Sequence, residues 1–379
     1  MSPGPTLGIY VHLPFCPYIC PYCDFAKWPH RRSASDRYLH ALDAEIAAAP
    51  PAPGATLFFG GGTPNAYDAS ELAGLIGRLR DRFSLAAGAE ISVEVNPELV
   101  RDGDFARYRD AGVTRVSIGV QSFQPAEIAT LGRKHTPEQV GAVVAQARAA
   151  GMPSVSLDLI FAVPGQTLDG WRRDLERAVA LGVDHVSTYG LTVEEGTPFA
   201  AWQLREPRAF AGDALEADLY GEAIDRLEAA GYEHYEISNF AKPGHRCRHN
   251  ENYWNNGEYA GLGVGAASFR GGERSVHTRD LEAYVAAAAS GEPIPSESER
   301  LEGARRAGEA AMLSLRTAQG VVPEAFKERY GLDFLTFYAP IVEEFRAAGL
   351  LEASADRVRL TRRGRFVAND VCAAFVTFG

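Results

Sequence analysis

The chain has 379 residues, of which 46% are hydrophobic, and it carries a formal net charge of −11 at pH 7. This length and apolar content predict one large globular domain with room for a smaller one. The acidic balance disfavours broad electrostatic binding to nucleic acid or anionic lipid, since both attract basic surfaces, and we expect no nucleic-acid partner.

The N-terminal segment has no cationic region ahead of an apolar run, and no apolar stretch reaches the length of a transmembrane helix. We therefore expect a cytoplasmic protein without a membrane anchor, which would reach a membrane only through partner proteins. An odd number of cysteines, three of them within eight residues, favours metal ligation over a disulfide framework. The five cysteines are Cys16, Cys20, Cys23, Cys247 and Cys372.

Up to about residue 240, short apolar runs alternate with amphipathic segments, as is typical of βα units around a parallel sheet. Strands are predicted at 7–13, 56–59, 91–95, 115–120, 155–161, 185–191 and 234–238. Helices are predicted at 70–82, 137–150, 168–181 and 212–230. We predict an α/β fold with a partial or complete (β/α) barrel over residues 1–240, in which functional side chains gather at the C-terminal strand ends. A doubly wound open sheet would produce nearly the same pattern.

The pattern changes after a Pro-, Ser- and Glu-rich stretch at 291–300, which is predicted to be a linker. Helices are predicted at 301–315, 323–330 and 334–348, followed by a hairpin and a last helix from Arg363. This order predicts a small winged-helix-like α+β domain over 301–379. Its nearly balanced charges favour a lid or docking role over DNA reading.

Three cysteines follow the first predicted strand with the spacing Cys16-x-x-x-Cys20-x-x-Cys23, in a loop that prolines keep out of helix. Three such thiolates can hold three corners of a [4Fe-4S] cluster. The fourth iron could then chelate S-adenosylmethionine (SAM) through its amino and carboxylate groups and support cleavage to a 5′-deoxyadenosyl radical. A zinc site completed by Cys247 or His12 is the alternative.

Several segments resemble, in order and spacing, the oxygen-independent coproporphyrinogen III oxidase family of radical SAM proteins. They are GIYVHLPFCPYICPYCDF, FFGGGTP, SVEVNP, RVSIGVQSF, LGRKHT and SLDLIFAVPGQT. The resemblance runs through nearly the whole chain. It implies a radical SAM barrel that holds the cluster on the three cysteines.

The same resemblance implies a set of residues that border or contact SAM. They are Tyr10, Gly61, Gly62, Thr63, Glu94, Gln121, Arg133 and Asp158. The chemistry agrees, because glycines allow close backbone approach, carboxylates accept hydrogen bonds from ribose hydroxyls, and arginine pairs with a carboxylate. A simple tight turn at 60–62 and structurally paired barrel carboxylates would account for the same residue types.

Two departures separate the chain from the oxidases of that family. Phe25 stands where those enzymes have a further cysteine, and only fifteen residues precede Cys16 where they have a longer extension. The segment RHNENYW at 248–254 resembles instead the HemW branch, described as haem chaperones, in which an HNxxYW motif is linked to haem binding. That resemblance implies His249 as the iron ligand, with Tyr253 and Trp254 packing on a porphyrin face.

Cys247 is a rival ligand in the same segment. With the Gly-rich run at 258–269, interpreted as a loop against cofactor or substrate, residues 241–290 are predicted to form an extension packed on the barrel.

We therefore expect a radical SAM protein that binds haem as cargo and delivers it to haem-requiring membrane proteins. It should bind and be able to cleave SAM without acting as a coproporphyrinogen III dehydrogenase. Three alternatives remain open: oxidative decarboxylation of coproporphyrinogen III, radical chemistry on another substrate, and a zinc protein without a cluster. The oligomeric state is also left open.

Overall fold

The computed structural model describes residues 7–378. Its strands, in chain order, are β1 (Leu7–Leu13), β2 (Phe15–Cys16), β3 (Trp28–Pro29), β4 (Gly54–Gly61), β5 (Glu90–Val95), β6 (Arg115–Gln121), β7 (Ser154–Phe161), β8 (His185–Gly190), β9 (Glu233–Glu236), β10 (Asn239–Ala241), β11 (Tyr259–Leu262), β12 (Ala267–Arg270), β13 (Glu273–His277), β14 (Ser296–Arg300), β15 (Leu351–Ala353) and β16 (Val358–Leu360).

The helices, in chain order, are α1 (Arg32–Ala48), α2 (Ala69–Arg82), α3 (Asp104–Asp110), α4 (Pro125–Thr130), α5 (Pro137–Ala149), α6 (Leu168–Ala180), α7 (Pro198–Arg205), α8 (Asp213–Ala229), α9 (Arg248–Trp254), α10 (Leu281–Ser290), α11 (Gly303–Leu315), α12 (Pro323–Tyr330), α13 (Phe334–Phe337), α14 (Ala339–Ala347), α15 (Arg362–Phe366) and α16 (Ala368–Thr377). Within residues 7–378, none of them combines the length and apolar content needed to cross a bilayer.

The main sheet has 12 strands in the order β14-β13-β12-β11-β1-β4-β5-β6-β7-β8-β10-β9. Its central run from β11 to β8 is parallel, and antiparallel strands extend it at both ends. Among residues 7–378 the two terminal strands of this order, β14 and β9, are not paired with each other. The predicted α/β class is therefore confirmed, and the barrel is a partial one.

Strand β1 shows why the sheet has two different faces. Ile9, Val11 and Leu13 are fully buried in the apolar core against the surrounding helices. Tyr10 and His12 alternate with them and so project to the concave face, where they are hydrogen-bonded to each other. The convex face therefore stabilises the fold, and the concave face carries the polar and aromatic side chains.

The Gly-rich run at 258–269 is not a loop, as the sequence had suggested, but contains β11 and β12. Strand β11 pairs in parallel with β1, so it supplies the strand that completes the parallel run. The predicted strand at 234–238 instead forms the short antiparallel β9. Gly261 explains the misleading composition, because a Cβ there would lie 2.1 Å from the Ala267 carbonyl oxygen. Only glycine fits where the two strands approach so closely. Because glycine is also typical of loops, the sequence pattern indicated a loop there.

The predicted linker at 291–300 also differs from expectation, since residues 296–300 form β14 along the edge of the sheet. All five residues pair with β13, from Glu273 opposite Arg300 to His277 opposite Ser296. The strand is exposed along its whole length. Its charged composition suits an edge strand that must not pair with other chains, and this composition is what made it resemble a linker.

The C-terminal residues form a helical domain with its own apolar core and the expected β15–β16 hairpin. The predicted helix at 334–348 is broken at Tyr338 into α13 and α14, because Pro340 begins a new helix. This domain contacts both ends of the sheet. The Ala318 amide donates to the Tyr235 carbonyl of β9, and Arg274 of β13 pairs with Glu309 of α11 at 2.6 Å.

Candidate functional site

The cysteine loop begins where β1 ends and is closed by the short β2–β3 pair. The His30 amide donates to the Cys16 carbonyl at 2.8 Å, and the Cys23 amide to the Cys20 carbonyl at 3.3 Å. Cys16 is buried, whereas Cys20 and Cys23 are partly exposed, and all three are free thiols. Burial raises the pKa of Cys16 to about 11 and also raises that of Cys23. Any metal bound here must therefore displace thiol protons.

All three cysteines line one cavity of about 560 Å³, which we call the cysteine cavity. Its volume falls in the range of about 300–1,000 Å³ that is usual for small-molecule sites. The structure brings most of the predicted site residues to its walls: Cys16, Cys20, Cys23, Gly62, Thr63, Glu94, Gln121, Arg133 and Asp158. Tyr10, Gly61 and His249 are outside this lining.

Two carboxylates, Glu94 of β5 and Asp158 of β7, line the cysteine cavity from neighbouring parts of the sheet. Burial, reinforced by the negative charge of Asp158, raises the pKa of Glu94 to about 8. Burial raises the pKa of Asp158 too, and the Ser117 hydroxyl lies 2.9 Å from each of its carboxylate oxygens. At pH 7 Glu94 is therefore mostly protonated and can donate a hydrogen bond.

Arg133 is the buried one of the two basic residues, Lys27 being the other, that line the cysteine cavity. Its Nη2 atom donates to the Asn96 side-chain oxygen and to the Gly119 carbonyl, each at 2.7 Å. Its Nη1 lies 4.0 Å from the Cys20 sulfur. Its Nε is buried and has no hydrogen-bond partner within residues 7–378. An unsatisfied buried donor costs about 1–3 kcal/mol, so this atom fits a ligand that brings a carboxylate to the cysteine loop.

Gln121 reaches the cavity through an irregularity in the sheet. Its φ is +66°, which is rare for a residue other than glycine. The register between β6 and β7 shifts between Gly119 and Gln121, as in a β-bulge. Such a bulge re-aims a side chain, and the strained backbone marks Gln121 as a functional candidate.

Close packing within the protein, and not the expected approach of a ligand to the backbone, explains the two glycines of the predicted turn. Gly61 has φ +107°, and a Cβ there would lie 2.4 Å from the His12 ring. At Gly62 a Cβ would lie 2.6 Å from the Pro14 carbonyl carbon. Both glycines are thus required by the close passage of β4 against the end of β1. Gly62 additionally borders the cavity.

His249, the predicted haem-iron ligand, lies in the core and is 1% exposed. Its Nδ1 is 2.8 Å from the Thr56 hydroxyl, and its Nε2 is 2.8 Å from the Tyr253 hydroxyl. Its ring stacks on Phe58 at 5.1 Å. Burial lowers the pKa of His249 to about 3, so the imidazole is neutral. Its Nε2 becomes available to a metal only when the Tyr253 hydroxyl moves away.

Helix α9 carries His249 at the end of the barrel opposite the cysteine loop. The His249 amide donates to Glu90, and Thr56 contacts the ring, so the helix packs at the N-terminal ends of β4 and β5. Cys247 is buried beside the same Glu90 carboxylate. The structure therefore does not bring the HNxxYW motif together with the three cysteines.

The sequence matches the family model described as Radical SAM superfamily over residues 10–178 and the one described as HemN C-terminal domain over residues 301–367. The protein named heme chaperone HemW of Mycobacterium tuberculosis (strain ATCC 25618 / H37Rv) is 39% identical over 97% of this chain and 94% of its own length. The HemW of Escherichia coli (strain K12) is 35% identical over 98% of both chains. This chain belongs to the HemW family.

The HemW-family chain also has the fold of a solved structure, coproporphyrinogen III oxidase (HemN) from Escherichia coli. The TM-score is 0.86 at 25% sequence identity, over 99% of this chain and 91% of the other. The radical SAM family implies a [4Fe-4S] cluster and SAM as cofactors.

The donor set of the cysteine loop fits such a cluster better than a zinc ion. Among residues 7–378, no three His, Cys, Asp or Glu side chains converge as the ligands of a single ion would. A cubane places each thiolate on a different iron, so its cysteine sulfurs surround the cluster at larger separations than the ligands of a single ion. The two proposed fourth zinc ligands are otherwise engaged: His12 bonds to the Ala26 carbonyl at 2.7 Å, and Cys247 lies beside Glu90.

Sequence reasoning missed a second cavity of about 500 Å³ in this HemW-family chain, which we call the side groove. It lies on the concave face between the cysteine loop, β11–β13 and α9. Tyr10, predicted to border SAM, faces it. No single motif marks it, because its residues come from separate elements. The available signals were Tyr253 of the HNxxYW motif and Phe25, an aromatic residue where the related oxidases are expected to have a cysteine. Its lining includes Tyr10, Phe25, Tyr253, Tyr259, Arg274 and Arg279.

Proposed function

We propose that this protein is a haem chaperone, which binds haem and passes it to proteins that require it. The observation that carries the proposal is similarity at 33–39% identity, over nearly the full length, to bacterial proteins named heme chaperone HemW. The arrangement of two cavities on one concave face supports it, because a cofactor and a cargo could be held side by side.

We assign the cysteine cavity to the cluster and SAM. Cys16, Cys20 and Cys23 would ligate three irons, and the buried Nε of Arg133 would meet the carboxylate of SAM. When bound and reduced, the cluster would supply the one electron needed for reductive cleavage of SAM.

The chain's own residues orient and shield SAM. In this assignment Asp158 accepts hydrogen bonds from hydroxyl groups, and protonated Glu94 donates one. Gln121 adds an amide at the bulge, and Gly62 and Thr63 form the wall beside the cysteine loop. Tyr10 and Gly61 support that wall through His12, which contacts both residues. We retain His249 as a candidate haem ligand on the condition that Tyr253 moves.

The recipients that we propose are haem-requiring membrane proteins. This protein would meet them from the cytoplasm and reach the membrane through these partners. This step is supported if the haem-loaded form of this protein pulls down a membrane partner and the haem-free form of this protein does not.

Oxidative decarboxylation of coproporphyrinogen III is the second candidate, favoured by the whole-chain fold similarity to HemN. Phe25 weighs against it. This side chain is 63% exposed at the junction of the two cavities, where the related oxidases are expected to have a cysteine.

Anaerobic reconstitution with iron and sulfide, followed by parallel assays, separates the two functions. We expect a haem Soret band that saturates at one haem per chain, and no protoporphyrinogen. A Cys20→Ser variant should lose the cluster absorbance, whereas Cys372→Ala, a buried cysteine of the C-terminal core, should keep it. Porphyrinogen decarboxylation with matching 5′-deoxyadenosine release, and no haem binding, would replace the chaperone by the oxidase.

A further inference from the structure

The side groove has the lining of a site for a largely apolar ligand. Tyr253 and Tyr259 contribute aromatic rings from α9 and β11, packed edge to face at 4.6 Å. Phe25 and Val276 are 63% and 37% exposed on its other sides. Exposed apolar side chains that gather in one concavity mark a binding surface rather than chance exposure.

Two arginines, Arg274 of β13 and Arg279 just beyond it, give this apolar groove its positive charge. The Nη1 atom of Arg274 pairs with Glu309 at 2.6 Å and lies 3.5 Å from Glu299. The side chain is 29% exposed, so the guanidinium is held in place while its remaining donors stay accessible.

Arg279 is 58% exposed and is tied to the cysteine loop. It donates to the Asp24 backbone carbonyl and lies 3.5 Å from the Asp24 carboxylate. Asp24 itself lines the groove, so the lining carries two positive charges against one negative charge. A ligand with two carboxylates would complement this arrangement, since guanidinium groups pair with carboxylates through two parallel hydrogen bonds.

The groove also lies directly over the HNxxYW motif. His249 and Tyr253 are one helical turn apart on α9 and therefore share a face. The Tyr253 ring forms part of the groove lining while its hydroxyl sits on the His249 Nε2 at 2.8 Å. A metal at the centre of a ligand in the groove would thus meet Tyr253 first, with the imidazole behind it.

We propose that the side groove is the tetrapyrrole site, which packs the macrocycle against Phe25, Tyr253 and Tyr259 and binds its two propionate carboxylates on Arg274 and Arg279. This inference rests on the proposed haem-chaperone function and assigns its cargo to a place. It separates the cargo from SAM, which occupies the neighbouring cysteine cavity. Phe25 lies at the junction of the two sites.

The test uses the full chain, reconstituted with its cluster, and three probes: haemin, its dimethyl ester and iron-free protoporphyrin IX. The variants are Arg274→Gln and Arg279→Gln. We expect each variant to bind haemin about tenfold more weakly than the parent protein and to bind the dimethyl ester as the parent does. Protoporphyrin IX should lose affinity in the same variants, because the arginines act on the carboxylates and not on the iron.

Arg300→Gln is the matched control. Arg300 lies on the neighbouring strand β14, pairs with Glu273 at 2.9 Å and is outside the groove lining. It should leave haemin affinity unchanged. Arg279→Gln keeps the test valid if Arg274→Gln unfolds, because Arg279 is exposed; cluster absorbance and thermal melting confirm that each variant is intact.

The possible results of this experiment test the groove assignment separately from the proposed chaperone function. If the parent protein binds haemin and both arginine variants bind it equally well, the groove assignment is wrong and the chaperone proposal stands. Equal affinity of the parent for haemin and its dimethyl ester would likewise overturn the carboxylate pairing. If the parent binds none of the three probes, the proposed function fails and the groove assignment fails with it.

Discussion

At the residue scale, the cysteine cavity explains why some side chains could be predicted from the sequence and others could not. The cysteine spacing predicted the cluster ligands, and the family resemblance predicted Glu94 on β5, Asp158 on β7 and Arg133 after α4, which all line the same cavity. The hydrogen bonds that the His249 ring makes could not be predicted in this way. A motif specifies which residue types occur, whereas the bonds from Thr56 and Tyr253 that occupy both ring nitrogens depend on packing between distant elements.

The Tyr253 hydroxyl leads to a prediction about haem affinity. Tyr253→Phe keeps the ring but frees the His249 Nε2. If His249 is the iron ligand, we expect haem to bind about threefold to tenfold more tightly, because a hydrogen bond worth about 1 kcal/mol no longer competes with the iron. Haem titration with absorbance and electron paramagnetic resonance spectra measures this.

A matched pair of variants makes that prediction decisive. His249→Ala should remove the low-spin spectrum in the Tyr253→Phe background. If Tyr253→Phe weakens haem binding and removes a phenolate signature, then Tyr253 is the ligand and His249 only orients it.

The raised pKa of Glu94 predicts how stability depends on pH. A carboxyl whose pKa rises from 4.5 to about 8 on folding keeps a proton that the unfolded chain releases. The folded state therefore loses stability as pH rises from about 5 through 8, by up to roughly 3 kcal/mol, and less where cavity water solvates the charge. Urea unfolding of the cluster-free protein at pH 5.5 and pH 8.5 measures this loss.

Glu94→Gln should reduce that pH dependence, because the amide does not titrate, while buried carboxyls such as Asp158, whose pKa is also raised, still titrate. Glu343→Gln, an exposed residue of α14, serves as the control and should keep the parental slope. An identical slope in Glu94→Gln would show that Glu94 has an ordinary pKa in the folded protein.

At the element scale, buried strands and amphipathic helices were the predictable part of the fold. Strand β1 and helix α12 have the predicted limits, and the other predicted barrel strands and helices differ at their ends. The errors fall where composition and structure disagree. The close approach at Gly261 requires a glycine, so the sequence of β11 resembles that of a loop. The exposed charged residues of β14 make its sequence resemble that of a linker.

The close approach between Gly62, which follows β4, and Pro14, which follows β1, predicts a cost for any side chain at Gly62. Gly62→Ala would place its Cβ 2.6 Å from the backbone of Pro14, which cannot move without displacing the cysteine loop. We expect a loss of about 1–3 kcal/mol in the free energy of unfolding and a weaker cluster yield on reconstitution. Urea unfolding and iron content measure the two effects.

Gly77→Ala is the control for that change. Gly77 lies inside α2, and a Cβ there would have nothing within 4 Å among the described residues. The alanine should stabilise the helix by about 0.5–1 kcal/mol. If both substitutions behave alike, the crowding at Gly62 is absent in solution.

At the scale of the whole molecule, the C-terminal domain bridges the two ends of an open sheet. It is attached near β9 through the Ala318 amide and to β13 through the Arg274–Glu309 pair. The sequence predicted this domain but not its position, because the contacts join residues far apart in the chain. Its α11 also supplies Leu313 to the side groove, so the bridge helps to shape that cavity.

The Arg274–Glu309 pair predicts how firmly this bridge is held. Glu309→Gln should lower the free energy of unfolding by about 1–2 kcal/mol, since the pair is partly buried and the guanidinium loses its charged partner. Glu343→Gln, which breaks the exposed pair with Arg346, should change it by less than about 0.5 kcal/mol. Equal effects in urea unfolding would mean that the bridge contributes no more than a surface ion pair.

The contact between Arg279 and Asp24 has a consequence for how haem binding and the cysteine loop influence each other. Asp24 directly follows Cys23, so the guanidinium that holds this aspartate also restrains the iron-binding loop. If the tetrapyrrole binds as we propose, a propionate competes with Asp24 for that guanidinium. Thermodynamic reciprocity then requires that binding of the cargo and ordering of the loop change each other's free energy by the same amount. A chaperone built in this way would sense, at its metal centre, whether it is full or empty.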